Sequence, residues 1–395
     1  MKNNINNNIF LFYIVRMFFL PFFWLPVLYV YLTKVKGLGI SETMFLLGLQ
    51  ELLMIFLEVP TGVVADKISR KFSVGLGYIL TALPFLFLPL TNSYGLFIFI
   101  FFVKAVGKAL VSGADTSLLY DTLIDLRRID EYKIIVNKSK VGMMICSATC
   151  IGLGGLIATT NIELTLILPF PLMLVGAIAA FLMVEPDESI KAKKLQETNY
   201  LKHIGKSFVN VLRSPMLLIL TVLFSISEAL AVNLKWIYTP IFEALKLNLA
   251  MIGGITALLY LAKALMAAVS TKIISKSIKI NIGGGMLVVA IMFILMTIFF
   301  RTPIVLLALL MVILAGEVFD ASIEEGIHKE LLSHNRATMM SVINLFSSIV
   351  ATIMINGFGL FYSFSGLKGG LLMLAGMFTI GVLVSTKLNP DKTNR

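Results

Sequence analysis

Acidic side chains interrupt the long apolar stretches of this sequence, and three of them are spaced so that their carboxyl groups align. Glu317, Asp320 and Glu324 follow an i, i+3, i+7 pattern, which places them on one face of a helix. A charged group inside hydrocarbon is costly unless it faces protein or a water-filled cavity, so such groups mark ion or substrate pathways. Carboxyl groups in this position can bind a cationic group or exchange a proton, which is the chemistry of ion-coupled transport.

Further ionisable residues lie inside other apolar stretches. Glu51 and Glu58 are seven residues apart, and Lys104 and Asp115 share one face of a later stretch. Each charge could instead form a structural ion pair between helices; Arg16 and Glu58, at a similar depth, could pair in this way. The full set predicted to act in proton coupling or in a substrate cavity is Arg16, Glu51, Glu58, Lys104, Asp115, Glu228, Lys263, Glu317 and Asp320.

The elements that carry these charges are predicted to be transmembrane helices. Of the 395 residues, 58% are hydrophobic and only 14% are charged, and the mean hydropathy is +0.93. A soluble domain carries roughly 25% charged residues, so a soluble enzyme is disfavoured. Runs of about 20 apolar residues can cross about 30 Å of hydrocarbon as a helix. The twelve predicted spans are 9–32, 43–65, 72–91, 95–122, 135–159, 163–184, 214–240, 248–271, 280–300, 303–326, 335–361 and 367–386.

A long polar segment separates the first six spans from the last six. Transporters built from two repeats require such a link. The predicted fold class is therefore an all-α polytopic membrane protein with 12 transmembrane helices in two six-helix bundles. The predicted domains are an N-terminal bundle over 1–184, a cytoplasmic linker over 185–213 and a C-terminal bundle over 214–395.

The basic residues predict the orientation of the chain. Its formal net charge is +11, and 23 of its 33 Lys and Arg residues fall in one alternating set of loops and tails, against 5 in the other set. Because loops rich in Lys and Arg stay in the cytoplasm, both termini are predicted to be cytoplasmic. The Asn-, Lys- and Ile-rich composition favours a bacterial source and hence the plasma (inner) membrane.

A charged motif follows the second span: Gly62-Val-Val-Ala-Asp66-Lys67-Ile-Ser-Arg70-Lys71. It resembles the major facilitator superfamily signature G-x-L-A-D-[RK]-x-G-R-[RK] between the second and third helices. Val64 and Ser69 depart from that signature, and Ser69 is predicted to strain a turn that needs positive φ. The stretch from Lys104 to Asp121 is similar to the fourth helix of a bacterial efflux subgroup of the same family, with lysine in place of its arginine.

The resemblance implies two helical bundles that work by alternating access, with substrate bound near the midplane between them. It also implies a cytoplasmic gate, here called the gate motif, formed by Gly62, Asp66, Arg70, Lys71 and Asp121. Gly62 is predicted to allow close helix approach, and Asp66 and Arg70 to form a charged latch. The subgroup favours proton-coupled export of a small amphipathic molecule, a drug or secondary metabolite.

Other functions remain as alternatives. Proton-coupled uptake of a small metabolite is the nearest, and a transport-inactive receptor or scaffold is a candidate from another class. A membrane enzyme is disfavoured because the three histidines lie in predicted loops without a metal-binding spacing. The sequence has no phosphate-binding G-x-x-x-x-G-K-[ST] motif. The expected partners are a small-molecule substrate, protons and the lipid bilayer, with no nucleic acid, nucleotide, cofactor or metal.

Overall fold

The structure is a computed structural model, and its regular elements are helices throughout the described residues. Most of the predicted linker and the side chain of Asp66 lie outside those residues. The described ranges are 2–19, 21–186, 213–273, 277–330 and 336–388.

The helices follow the apolar runs of the sequence. In the first half they are α1 (Lys2–Met17), α2 (Ile40–Lys67), α3 (Arg70–Phe87), α4 (Tyr94–Val111), α5 (Ala114–Asp125), α6 (Tyr132–Ala158), α7 (Ile162–Ile167) and α8 (Pro169–Leu182). In the second half they are α9 (Pro215–Ala244), α10 (Leu249–Ile273), α11 (Ile278–Phe299), α12 (Ile304–Glu330) and α13 (Arg336–Ser385). Between α1 and α2 the chain makes short helical turns at Phe22–Trp24, Leu28–Val30 and Tyr31–Val35.

Three spans that the sequence predicts as continuous are interrupted. In the first, α1 ends at Met17 ahead of Pro21 and Pro26, since proline lacks the N–H that continues a helix. In the fourth, Gly113 has a φ of 74°, a left-handed conformation that favours glycine, and separates α4 from α5. In the sixth, Pro169 opens α8, where its missing N–H costs nothing.

Eleven helical stretches in the described part of the chain are long and apolar enough to cross a membrane. The last of them, Val342–Ser385, belongs to the 50-residue α13, which Gly366 interrupts with a φ of 65° and a ψ of −165°. The all-helical, multi-pass prediction is confirmed. The count of twelve helices in two bundles stays a prediction.

The chain divides into two compact units. The first comprises Met1–Tyr31, Leu52–Thr198 and Asn248–Leu258. The second comprises Leu32–Glu51, Asn199–Leu247 and Leu259–Arg395. Residues 32–51, which include the beginning of α2, belong to the second unit, and the beginning of α10 belongs to the first. The predicted domain boundaries stay a prediction.

Aromatic side chains form much of the buried interior of each unit. In the first, Phe12, Tyr78 and Phe97 are fully buried. In the second, the ring of Phe378 lies 5.9 Å from that of Phe293 and 6.3 Å from that of Phe319. Burying such rings supplies large apolar area and favourable ring contacts, so each unit has its own packed interior against which polar side chains are fixed.

Candidate functional site

The gate motif lies in the first unit, where Arg70 of α3 forms an ion pair with Asp121 of α5. The same guanidinium nitrogen also donates to the carbonyl oxygen of Ser117 at 3.1 Å. The side chains of Arg70 and Asp121 are 14% and 12% exposed, so water screens the pair little. The motif therefore joins the start of α3 to α5.

Ser69 does not strain the turn as its departure from the signature predicts. Its φ is −174°, which is ordinary extended backbone, and its hydroxyl accepts a hydrogen bond from the N–H of Phe72 at 3.3 Å. Serine is a favoured residue at this position because its side chain satisfies one free N–H of the first helical turn. The turn therefore needs no glycine at residue 69.

Two other expectations for the gate motif stay predictions. A Cβ added at Gly62 would meet no atom of the described residues within 4 Å, so no close helix approach at Gly62 is seen in that part of the chain. The latch between Asp66 and Arg70 stays a prediction, since the side chain of Asp66 lies outside the described residues. Lys71 is half-buried, and its backbone N–H donates to Glu185 at 3.3 Å.

Arg16 and Asp115 form an ion pair at two interrupted helices. Arg16 lies at the end of α1 and Asp115 in the first turn of α5, and a guanidinium nitrogen of Arg16 is 2.9 Å from the Asp115 carboxylate. The pair links the interruptions of the first and fourth spans. The predicted pairing of Arg16 with Glu58 is wrong, since Arg16 pairs with Asp115 and Glu58 is exposed.

Lys104 is buried on α4 among aromatic rings. Its ammonium nitrogen lies 4.1 Å from the centroid of the Trp24 ring, 5.0 Å from that of Phe85 and 5.7 Å from that of Phe101. The negative face of an aromatic ring attracts a cation, and tryptophan does so most strongly. The lysine therefore ties α4 to the helical turn at Phe22–Trp24 in the interrupted first span.

The second unit contains the carboxylates that the sequence aligns on α12. Glu317 lies 3.5 Å from the ammonium nitrogen of Lys263 on α10, and their side chains are 17% and 32% exposed. Asp320 accepts a hydrogen bond of 2.7 Å from the hydroxyl of Ser227 on α9. Three helices of one unit thus meet through polar groups. Glu228 is half-buried on α9, next to Ser227 in the chain.

Glu51 belongs to the second unit and is 8% exposed, and it accepts a hydrogen bond of 3.1 Å from Gln50. Arg16, Lys104 and Asp115 belong to the first unit, as does the exposed Glu58. The structure therefore distributes the predicted residues over both units, each of which carries at least one buried or half-buried ion pair.

Several buried polar residues escaped prediction from sequence. Asn8 is fully buried and bonds to Thr122 and to the backbone of Val184. The sequence predicts that Glu185 is part of the linker, because its neighbours in the chain are polar. In the structure its carboxylate accepts hydrogen bonds from the start of α3. Asn233 is fully buried on α9 and donates to a backbone carbonyl of α13 at 2.7 Å. An asparagine gives no charge signal in an apolar run, so only burial identifies it.

The arrangement provides paired charges rather than groups that make or break covalent bonds. Within the described residues, no three His, Cys, Asp or Glu side chains lie together in a way that could hold a metal ion. The chemistry that these described residues offer is the binding of charged or hydrogen-bonding groups.

Comparisons with known proteins identify the fold. The family model described as Major Facilitator Superfamily matches residues 7–355. A mutant form of the nucleoside transporter NupG has a TM-score of 0.80 and 14% identity, with 97% of this chain and 99% of that chain covered. A POT family transporter in complex with 5-aminolevulinic acid has a TM-score of 0.73 and 14% identity, with 100% and 97% covered.

A mutant peptide transporter POT in complex with alafosfalin gives a TM-score of 0.69 at 16% identity, with 97% of this chain and 93% of that chain covered. No curated protein matches the sequence. At these identities the solved structures establish a shared fold and leave the ligand open.

Proposed function

Because this chain belongs to the major facilitator superfamily, we propose that it is a secondary active transporter that couples proton movement to the export of a small amphipathic molecule. The proposal places the chain in a bacterial plasma membrane with both termini in the cytoplasm, which the strong bias in the placement of its basic residues supports. The proposal also includes the predicted twelve transmembrane helices in two bundles. Transport would proceed by alternating access between those bundles.

The observation that carries the proposal is the pair of carboxylates on α12. Glu317 faces Lys263 and Asp320 faces Ser227, so both carboxylates are held by polar partners inside an apolar unit. Ionisable residues in transmembrane helices are costly to keep and mark ion or substrate pathways. A carboxylate that is half-buried and paired can exchange its partner for a proton or for a cationic group of a substrate.

The proton step follows from the ion pair. At the observed 3.5 Å, and with an effective dielectric constant of about 20, the attraction between Glu317 and Lys263 is about 5 kcal/mol before screening. A proton on the Glu317 carboxylate removes this attraction, which exceeds thermal energy several-fold. Lys263 then turns to another acceptor or to water. Protonation therefore changes which arrangement of α10 and α12 is preferred, as coupling requires.

Exchange arises if proton and substrate compete for the same carboxylates. A cationic group bound at Glu317 or Asp320 is displaced when the carboxylate gains a proton, and the reverse holds when the proton leaves. Such competition produces antiport, in which inward proton flow drives the substrate outward. The gate motif supplies the closing contact on the cytoplasmic side through Arg70 and Asp121.

A second candidate, uptake of a small zwitterionic metabolite, is favoured by Arg16. The Nε of Arg16 is buried and has no acceptor among the described residues. It could therefore donate to a carboxylate of the substrate, while Asp115 beside it receives an ammonium group. The similar solved structures include a nucleoside transporter and a POT family transporter bound to 5-aminolevulinic acid.

The experiment is a flux assay with purified protein in liposomes that contain a pH-sensitive dye. A proton gradient is imposed, and lipophilic cations, nucleosides, amino acids and short peptides are added in turn. Proton movement that depends on a lipophilic cation supports export by exchange, and movement that depends on a zwitterion supports uptake. Specific binding without flux of any kind would contradict transport and favour a receptor.

A further inference from the structure

Hydrogen bonds and an ion pair form a closed polar ring at one end of the first unit. The ring joins the beginning of α1, the beginning of α3, the end of α5 and the segment that follows α8. We call it the end ring and define it as Asn8, Arg70, Asp121, Thr122 and Glu185. Arg70 and Asp121 belong to the gate motif. The other three residues, Asn8, Thr122 and Glu185, lie outside it.

Asn8 connects α1 to two other parts of the ring. Its side-chain amide donates to the Thr122 hydroxyl at 3.0 Å and to the carbonyl oxygen of Val184 at 2.8 Å. Its amide oxygen accepts from the N–H of Val184, also at 2.8 Å. Both Asn8 and Thr122 are fully buried. Removal of the Asn8 side chain would leave the backbone N–H and carbonyl oxygen of Val184 without these hydrogen bonds, which is unfavourable.

Glu185 connects the end of the sixth span to the beginning of α3. One carboxylate oxygen accepts from the N–H of Arg70 at 2.9 Å. The other accepts from the Ser69 hydroxyl at 2.7 Å and from the N–H of Lys71 at 3.3 Å. The carboxylate thus satisfies free N–H groups in the first turn and lies at the positive end of the helix dipole.

The ring closes through neighbouring residues. Val184 and Glu185 are adjacent, so Asn8 and Glu185 hold the same short segment from both sides. Asp121 and Thr122 are also adjacent, so Asn8 fixes the turn of α5 that carries the partner of Arg70. The direction of the Arg70 side chain is set by the first turn of α3, which Glu185 holds.

We infer that Asn8 and Glu185 are positioning residues of the gate, which hold Arg70 and Asp121 in the geometry of their ion pair. The inference rests on the proposed function, because it assigns the two residues to the gate of a transporter. It ties the gate to the junction between the sixth span and the predicted linker, so movement of the sixth span and opening of the gate become one event.

The test uses Glu185→Gln and Asn8→Ala. Glu185→Gln removes the charge and presents an amide donor to N–H groups that need an acceptor. The matched control is Glu131→Gln, which removes an exposed carboxylate of the same unit that lies outside the end ring and pairs with Arg128 at 2.6 Å.

Two readouts separate positioning from folding. The first is transport, measured as KM and maximal rate. The second is the rate at which a membrane-impermeant maleimide alkylates Gly62→Cys, in a background where Cys146 and Cys150 are replaced by alanine. A Cβ at residue 62 would meet no atom of the described residues within 4 Å, so the Cβ of the reporter displaces none of them. This second readout needs no substrate.

Both variants are expected to lower the maximal rate about tenfold, because Glu185→Gln loses charge-assisted hydrogen bonds and Asn8→Ala leaves the buried groups that Asn8 pairs with unsatisfied. KM and membrane abundance stay close to the control, and alkylation rises several-fold. The double variant is expected to lose less of its maximal rate than the product of the two single losses, because both substitutions act on the same ring. If neither variant folds, Ser69→Ala and Thr122→Val replace them, each removing hydrogen bonds without a change in charge.

Transport and alkylation equal to those of Glu131→Gln would overturn the inference. A fall in abundance and thermal stability with alkylation unchanged would also overturn it, since that is the result of a purely structural role. Raised alkylation in a protein that moves no compound would support the ring as a positioning device and contradict the proposed transport function. The two failures are therefore distinguishable.

Discussion

Replacing Gly155 with alanine should push helices α6 and α10 apart. A Cβ at residue 155 would lie 2.6 Å from the Cα of Gly253, 2.7 Å from the carbonyl oxygen of Leu249 and 2.9 Å from the N–H nitrogen of Gly253. All three are backbone atoms, which cannot rotate away as a flexible side chain can. The two helices must therefore move, or the contact must open.

The size of the effect follows from these distances. Ordinary contacts of a Cβ begin near 3.4 Å, so relief of the contact to Gly253 requires a separation of about 0.8 Å. Overpacking of this kind costs about 1–3 kcal/mol. Since about 1.4 kcal/mol is a tenfold change in an equilibrium constant, the close-packed arrangement should lose about 5- to 150-fold in population.

The assay is disulfide formation between Gly152→Cys and Ala257→Cys, with Cys146 and Cys150 replaced by alanine. A Cβ at residue 152 lies 3.7 Å from that of Ala257, which matches the spacing of about 3.8 Å between the Cβ atoms of a disulfide. Addition of Gly155→Ala should lower the rate of crosslinking at least about fivefold, the lower bound of the population change.

The matched control is Gly254→Ala on the facing helix. A Cβ at residue 254 meets no atom within 4 Å in the described part of the chain, so this substitution adds the same methyl group without a clash there. Its crosslinking rate should equal that of the parent. Equal rates for Gly155→Ala and Gly254→Ala would refute the reasoning, because they would show that α6 and α10 do not depend on a glycine at residue 155.

The remaining predictions concern single polar contacts. A double-mutant cycle of Lys104→Met and Trp24→Leu should give a coupling energy of about 1–2 kcal/mol in unfolding measurements, and additive effects would contradict the cation–π contact. Asn233→Ala should lower the free energy of unfolding by about 0.6–1.7 kcal/mol through loss of its interhelical hydrogen bond, and unchanged stability would argue against that bond. Asp121→Asn should lower transport about tenfold at normal abundance by weakening the pair with Arg70, whereas normal flux would remove this pair from the gate.

The positions of the helices could be predicted because a membrane span needs about 20 apolar residues and such runs are visible in the sequence. The breaks in them were harder to predict. Pro21 and Pro26 carry a local signal, since proline ends a helix. Gly113 carries a weaker one, since glycine is common in transmembrane helices that do not bend.

The sequence identified the types of residue in the candidate site but not which of them pair with one another. A charge in an apolar run is conspicuous, so Arg16 and Asp115 stood out singly. Their partnership spans 99 positions of sequence and depends on how α1 packs against α5, which spacing along one helix does not encode. The same applies to Asn8, whose role exists only because the chain returns to it at Val184.

Ser69 shows the opposite case, in which a family pattern misled. Glycine in the signature suggests a left-handed residue, but the serine here is extended and accepts a hydrogen bond from the first turn of α3. A serine directly before a helix is itself a signal for such a cap. At residue 69 the preference of serine for helix N-caps predicts the conformation correctly, whereas the family signature does not.

The measurement that tests proton coupling most directly compares two assays on Glu317→Gln in liposomes. One assay is accumulation of substrate driven by a proton gradient, and the other is exchange of labelled for unlabelled substrate without a gradient. Glu324→Gln, which removes an exposed carboxylate of the same helix, is the control.

We expect Glu317→Gln to abolish gradient-driven accumulation and to retain exchange, because Asp320 still receives the cationic group of the substrate while residue 317 no longer gains or loses a proton. Glu324→Gln should retain both activities. Gradient-driven accumulation at the wild-type rate in Glu317→Gln would show that Glu317 does not carry the coupled proton.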